Sequence, residues 1–348
     1  MHRFLLIGIS CCFVFFDSNV FGQGDFKPLG LTLPTENKAI FSKNQSQFYM
    51  YTNRNFEGVR STPWTAGKYG FVRNQRRSAE GIIMTRFHEG IDIRPLQRDK
   101  SGNPLDMVRA IAPGKVVHVN STSSHSSYGK YVVVEHDWGY GPFYSLSAHL
   151  MDTRVKVGQK VTNATVLGRL GYTGNGIDRT RAHVHLELNL LLSKRFESYH
   201  KKHYRTPNYH GNFNGINLAG LDIAGLYQRQ KEDPSLSIPE FLTRMEVHHK
   251  ALVPRKGNLE ILSRYPFLGK NLDQAGSSPS WEIHFSRSGI PLQISPSSQR
   301  VSRPTISWVK YSKTYHSYLT RGRLTGSGSK GGFSDSGLRY IALLTGQF

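Results

Sequence analysis

Cysteine is almost missing from this 348-residue chain: Cys11 and Cys12 are the only two, and both fall in its first stretch. A folded part that begins after them has no thiol, which excludes a disulfide framework and any thiolate metal site. Acidic residues are scarce as well, 24 against 45 Lys and Arg, for a net charge of +21. Such an excess predicts attraction to polyanions. No helix-turn-helix, zinc-finger or RNA-binding signature accompanies it, so nucleic acid is not the expected partner. Long apolar runs are missing too, apart from Phe4 to Phe16. Met1-His2-Arg3, that run and the small-residue exit Val20-Phe21-Gly22 read as a secretory signal peptide over residues 1–22, too short to be read first as a membrane span. An exported protein without thiols is the expectation.

What is present after residue 60 is β-type patterning. Residues 23–60 are polar and mixed, without a firm period. From about Trp64 to Leu192, short alternating runs recur between glycine-bearing turns: Val116 to Val119, Tyr131 to Glu135, Phe143 to His149, Val166 to Leu170 and Ala182 to Leu190. Many short strands at this spacing predict a mainly β fold, an antiparallel sandwich or a barrel-like sheet. Tyr199 to Tyr209 reads as a basic loop, and Ser237 as the N-cap of a helix carrying Pro239, Glu240, Phe241, Leu242 and Met245. His248-His249 would end that helix as favourable cations. Residues 281–348 read as a basic, β-rich extension, with nine basic residues against two acidic. Its aromatics, Trp281, Trp308, Tyr311, Tyr315 and Tyr318, are expected in its own core. The resulting division is 1–22, 23–60, 61–195 and 196–348.

Three segments carry candidate chemistry. His88-Glu89-Gly90-Ile91-Asp92 superficially follows a helical His-Glu-x-x-His zinc motif, but Asp stands at its fifth position and Gly90 is a poor helix former. His88 and Asp92 are instead a nitrogen and an oxygen donor, four apart on a strand or tight turn. In His183-Val184-His185-Leu186-Glu187, alternation sends His183, His185 and Glu187 to one strand face. Two imidazoles there suit one metal ligand and one acid/base group, and the residues alone leave open which is which. Glu187 is either a hydrogen-bond partner for an imidazole or a solvated carboxylate. Ser147-Ala148-His149-Leu150 ends an aromatic strand.

Taken together, His88-x-x-x-Asp92, His149-Leu150 and His183-x-His185 resemble, in order and rough spacing, the lysostaphin/LytM-type zinc endopeptidases. Gly70-Phe71-Val72-Arg73, Val108 to Val117, Val155 to Val161 and Leu167 to Gly174 are similar to that family's connecting turns and strands. The resemblance implies an enzyme with one zinc ion held by His88, Asp92 and His185, with His149 and His183 as catalytic histidines that are not ligands. It implies hydrolysis of peptide bonds in bacterial peptidoglycan by a metal-activated water. The expected partners are peptidoglycan peptides and an anionic wall or membrane surface, in the periplasm or outside the cell. A non-catalytic wall-binding regulator is the alternative, disfavoured because all five positions are intact; a zinc protease acting on proteins is a third. The loops Asn120 to Tyr128 and Gly174 to Ala182 are expected to border the groove and set its specificity.

Overall fold

The computed structural model describes residues 27–348, so the signal peptide expected over residues 1–22 lies outside them. The β-branched and aromatic runs form one seven-stranded antiparallel sheet. Its path is Lys160–Val161, Gly114–Asn120, Lys130–Asp137, Pro142–Leu150, Val184–Leu191 and Leu218–Gly220, with Ile91–Ile93 also pairing to Val184–Leu191. The path ends on different strands, so the mainly β expectation holds while the sheet stays open and forms no barrel.

Alternation along Val184–Leu191 divides the molecule. Val184, Leu186, Leu188 and Leu190 face the large hydrophobic core. Burying each such side chain stabilises the fold by about 1.5–3 kcal/mol before entropy is counted. The odd-numbered residues face the other way, where Leu191 joins Tyr131, Val133, Tyr144, Leu146, Ala148 and Leu218 in a smaller cluster. That second face carries His185, Glu187 and Asn189, all buried.

A hairpin, Gly70–Ser78 with Gly81–His88, sets Gly70 opposite His88. The chain then turns through Glu89-Gly90 into Ile91–Ile93, which pairs Asp92 with His185. Gly90 has a physical reason: a Cβ there would stand 2.2 Å from the Leu186 carbonyl oxygen and 2.8 Å from Glu187 Cγ. Residues before the hairpin brace the other side of this strand. The Met50 N–H donates to the Asp92 carbonyl at 2.8 Å, and Tyr49 bridges to Ile93.

A second antiparallel sheet follows, in the order Pro291–Ser297, Ser280–Phe285, His249–Pro254, Thr305–Val309. Its Ala251, Val253, Ile283 and Phe285, with Ile341 and Leu344 of the helix Asp335–Thr345, belong to the same core as Val132 and Leu186. Arg264 clamps the seam by donating to the carbonyls of Leu191 and Leu192. Among the described residues no helix is long and apolar enough to cross a membrane.

Four local expectations are corrected. The expected basic loop begins with a helix, Phe196–His203. Phe196, Tyr199 and His200, spaced by three and four, are buried while Lys201 and Lys202 stay exposed, so burial on one face decides the matter. Ser237 does cap a helix, but it ends at Thr243. His248 and His249 are therefore not at its terminus; both are buried, and desolvation lowers their pKa values to about 4 and about 3, keeping them neutral. Among the C-terminal aromatics Trp281 is buried, but Trp308, Tyr311 and Tyr315 are exposed.

Candidate metal centre and cleft

All five histidine and aspartate positions singled out in the sequence meet on the second face of the sheet, and all are buried. His88 Nε2, Asp92 Oδ1 and His185 Nδ1 form a triangle with edges of 3.1, 3.0 and 3.0 Å. His183 Nε2 lies 3.4 Å from the same Asp92 oxygen. The His149 and His183 rings stand 4.9 Å apart between centroids.

The outer atoms of these rings fix which nitrogen carries hydrogen. His88 Nδ1 lies 2.8 Å from the Lys68 carbonyl. His149 Nδ1 is 2.9 Å from the Thr173 carbonyl, and His183 Nδ1 is 2.6 Å from the Arg181 carbonyl. A carbonyl only accepts, so each of these nitrogens donates and each Nε2 is turned inward. His185 is reversed: its Nε2 donates to Glu187 Oε1 at 2.7 Å, leaving Nδ1 inward. Glu187 is held in turn by the Tyr128 hydroxyl at 2.7 Å and Asn189 Nδ2 at 3.0 Å. Its buried position decides between the two roles open to it in the sequence: it is a hydrogen-bond partner, not a solvated carboxylate.

Electrostatics follow from this geometry. Burial opposes ionisation of Asp92, but His88, His183 and Arg73 together hold its carboxyl well below the usual range. Arg73 donates to Asp92 Oδ2, leaving Oδ1 for the histidines. Desolvation holds His149 well below its ordinary pKa, reinforced by His183 and His185, so its imidazole is neutral. Burial alone would also lower His185, yet hydrogen bonds to Asp92 and Glu187 reverse the sign and raise it to about 10. Two imidazole nitrogens and one carboxylate oxygen thus converge on one point, where a bound metal ion would replace the His185 proton between them.

That donor set fits zinc. Tetrahedral bonds of about 2.0–2.1 Å place neighbouring donors about 3.3 Å apart, and the triangle here is only a few tenths of an ångström tighter. Two nitrogens and one oxygen are ligand types zinc takes, and three protein donors leave a fourth position for chemistry. His88, Asp92 and His185 are also the one group of three among the described residues whose donor atoms lie together in this way.

His149 reaches the site by breaking a rule. Ala148 faces the smaller cluster, so regular alternation would send the next side chain to the opposite face. The backbone at His149 is instead left-handed, with φ of 62°. Such a conformation is uncommon for a residue with a side chain, and it is held here by the His149 N–H donating to the Tyr128 carbonyl.

The centre opens into a cleft of 610 Å³. Ser126 to Tyr128 and Asn175 to Ile177 line it, from the two loops expected to border a groove. His210, Asn214 to Ile216 and Arg321 line it as well, and nothing in the sequence pointed to them. The described part of residues 23–60 contributes no lining residue to this cleft. Arg73 had been read only as part of a strand, Tyr128 only as a loop residue, and Asn189 not at all. Asn189 was findable, because it follows Glu187 by two on the same strand face.

An open antiparallel sheet thus gathers a His/Asp/His donor set, able to hold a metal ion, at the base of a cleft. Residues 86–196 match the model of peptidase family M23, the lysostaphin/LytM-type family that the sequence resembles over that segment. Solved structures similar to it include the catalytic domain of the prophage-encoded M23 protein EnpA from Enterococcus faecalis, 24% identical, covering 40% of this chain and 79% of that one, with a TM-score of 0.25. The catalytic domain of the antimicrobial peptidase lysostaphin from Staphylococcus simulans is 20% identical, covering 46% and 90%, with a TM-score of 0.28. A zinc-containing peptidase from Vibrio cholerae is 24% identical, covering 41% and 36%, with a TM-score of 0.25. These partial likenesses add nothing to the family match. No curated protein matches the sequence.

Proposed function

We propose that this protein is an exported zinc metalloendopeptidase that hydrolyses peptide bonds of bacterial peptidoglycan. The observation that carries the proposal is the inward triangle of His88 Nε2, Asp92 Oδ1 and His185 Nδ1, each tied from behind. These three residues hold the ion, which when bound supplies Lewis acidity towards a peptide carbonyl and a water. His149 and His183 are the catalytic histidines. Each has its Nδ1 held by a backbone carbonyl and its Nε2 turned inward, so that an imidazole accepts the proton of the attacking water, and the N–H so formed donates to the leaving amine. Glu187 keeps His185 oriented, with Tyr128 and Asn189 keeping Glu187 in place. The net charge of +21 favours residence on an anionic wall or membrane surface.

The test is digestion of purified peptidoglycan by the mature protein, with mass spectrometry of released fragments. Wild type is expected to release peptide fragments, while His185→Ala and chelator-treated protein release none. Equal release by all three would rule out a metal-dependent mechanism.

A further inference from the structure

Beside the cleft lies a second depression of 480 Å³, lined by Thr52, Asn53, Arg54, Asn55, Phe56, Arg73, Asn74, Gln75, Arg86 and Arg181. Arg73, Arg86 and Arg181 line both spaces, so the two adjoin. Four guanidinium groups meet there with no carboxylate in the lining. Among the described residues only Arg73 has a carboxylate partner, Asp92. Arg54 spends one donor on the Val72 carbonyl. Arg181 donates to the carbonyls of Tyr51 and Gly176. Neither makes a salt bridge with a described residue, and Arg86 is exposed towards solvent. Elsewhere on this surface arginines do find partners, as Arg77 does with Glu57 and Arg244 with Glu240.

Like charges gathered in one concavity repel unless an anion joins them, and the planar fork of a guanidinium matches a carboxylate through two parallel hydrogen bonds. Gln75, in the same lining, carries a buried Oε1 with no partner. A peptide N–H is the kind of group that would satisfy it. We infer that this depression is a subsite for a free carboxylate of the substrate peptide, gripped by Arg54, Arg86 and Arg181 next to the reacting bond. The inference rests on the peptidase reading, because it assumes that a peptide occupies the adjoining cleft. It makes the enzyme selective for acidic, unamidated peptides.

The test uses the full-length mature protein and two fluorescent peptides released from peptidoglycan, identical except that one carries free stem carboxylates and the other carboxamides. Binding is read by anisotropy with chelator present, so that nothing is cleaved, and cleavage is read separately with zinc. The free acid is expected to bind wild type at least about tenfold more tightly, the range of one desolvated charged hydrogen bond. Arg86→Gln and Arg54→Gln should each reduce that preference to within about threefold, with the amide peptide bound as before. Arg60→Gln, which removes an exposed cation outside this lining, should leave the preference intact. Equal binding of acid and amide by wild type overturns the subsite, as does a preference that Arg60→Gln weakens as much as Arg86→Gln, since general basicity would then explain it. Selective binding without cleavage of either peptide would support the subsite and count against the peptidase reading. Cleavage of both peptides without selective binding would do the reverse.

Discussion

Glu187 Oε1 lies 2.7 Å from His185 Nε2, on a buried strand face where the two residues are separated only by Leu186. A carboxylate behind an imidazole fixes the ring tautomer and makes the opposite nitrogen a better donor to a metal. Burial opposes ionisation of Glu187, but the hydrogen bond and charge of His185, helped by Tyr128 and Asn189, pull its pKa below the usual range. Glu187→Gln keeps the shape and removes the charge. It should lower zinc affinity about 10- to 100-fold in competition with a chromophoric chelator. Unchanged affinity would show that Glu187 serves packing alone.

The roles assigned to the neighbouring histidines separate in two readouts. His185→Ala should lose zinc and activity together. His183→Ala and His149→Ala should retain about one zinc per chain by elemental analysis and lose about 10²- to 10⁴-fold in kcat, the usual loss for a general acid or base. If His183→Ala lost the metal and His185→Ala kept it, the two roles would be exchanged.

Gly90→Ala addresses the turn between the first two proposed ligands. Its Cβ would meet backbone, the Leu186 carbonyl oxygen at 2.2 Å, which cannot rotate away as a side chain can. The strand Ile91–Ile93 must then shift from Val184–Leu191, separating Asp92 from His185. A loss of about 1–3 kcal/mol in unfolding free energy is expected, as for other overpacked sites. Zinc affinity should fall with it. A variant as stable as wild type in urea titration would contradict this account of the motif.

Much of this centre was legible because strand alternation is a strict geometric rule. His183, His185 and Glu187 had to share a face once the segment was read as a strand. What brings that strand to His88 and Asp92 was not legible, because no local pattern encodes a backbone carbonyl such as that of Lys68 or Arg181. Arg321 could not be placed either: it comes from 232 positions beyond Glu89, to which it donates. His149 shows the opposite failure, since alternation read literally would have turned it away from the site. His248 and His249 were misjudged because they were read as cations ending the Ser237 helix, whereas His249 stacks on Phe285 at 4.9 Å inside the second sheet.

That burial has a consequence for acid stability. The folded pKa values of His248 and His249, about 4 and about 3, lie below the ordinary 6.5. Between these values the unfolded chain binds more protons than the folded one, so their contribution is complete above about pH 6.5 and declines as pH falls towards 3. Unfolding free energy from urea titrations should drop over that window. His249→Phe, which keeps the stack on Phe285 and removes a Nδ1 without a partner, should flatten the decline. A pH profile identical to wild type would show that His249 does not titrate differently on folding.

The central claim is that His88, Asp92 and His185 share one ion, and anomalous diffraction at the zinc absorption edge tests it most directly. Crystals of the zinc-loaded protein should show a single strong peak about 2.0–2.2 Å from His88 Nε2, an Asp92 carboxylate oxygen and His185 Nδ1, with His149 and His183 outside bonding distance. A peak elsewhere, or none in this triangle with zinc at saturating concentration, would contradict it.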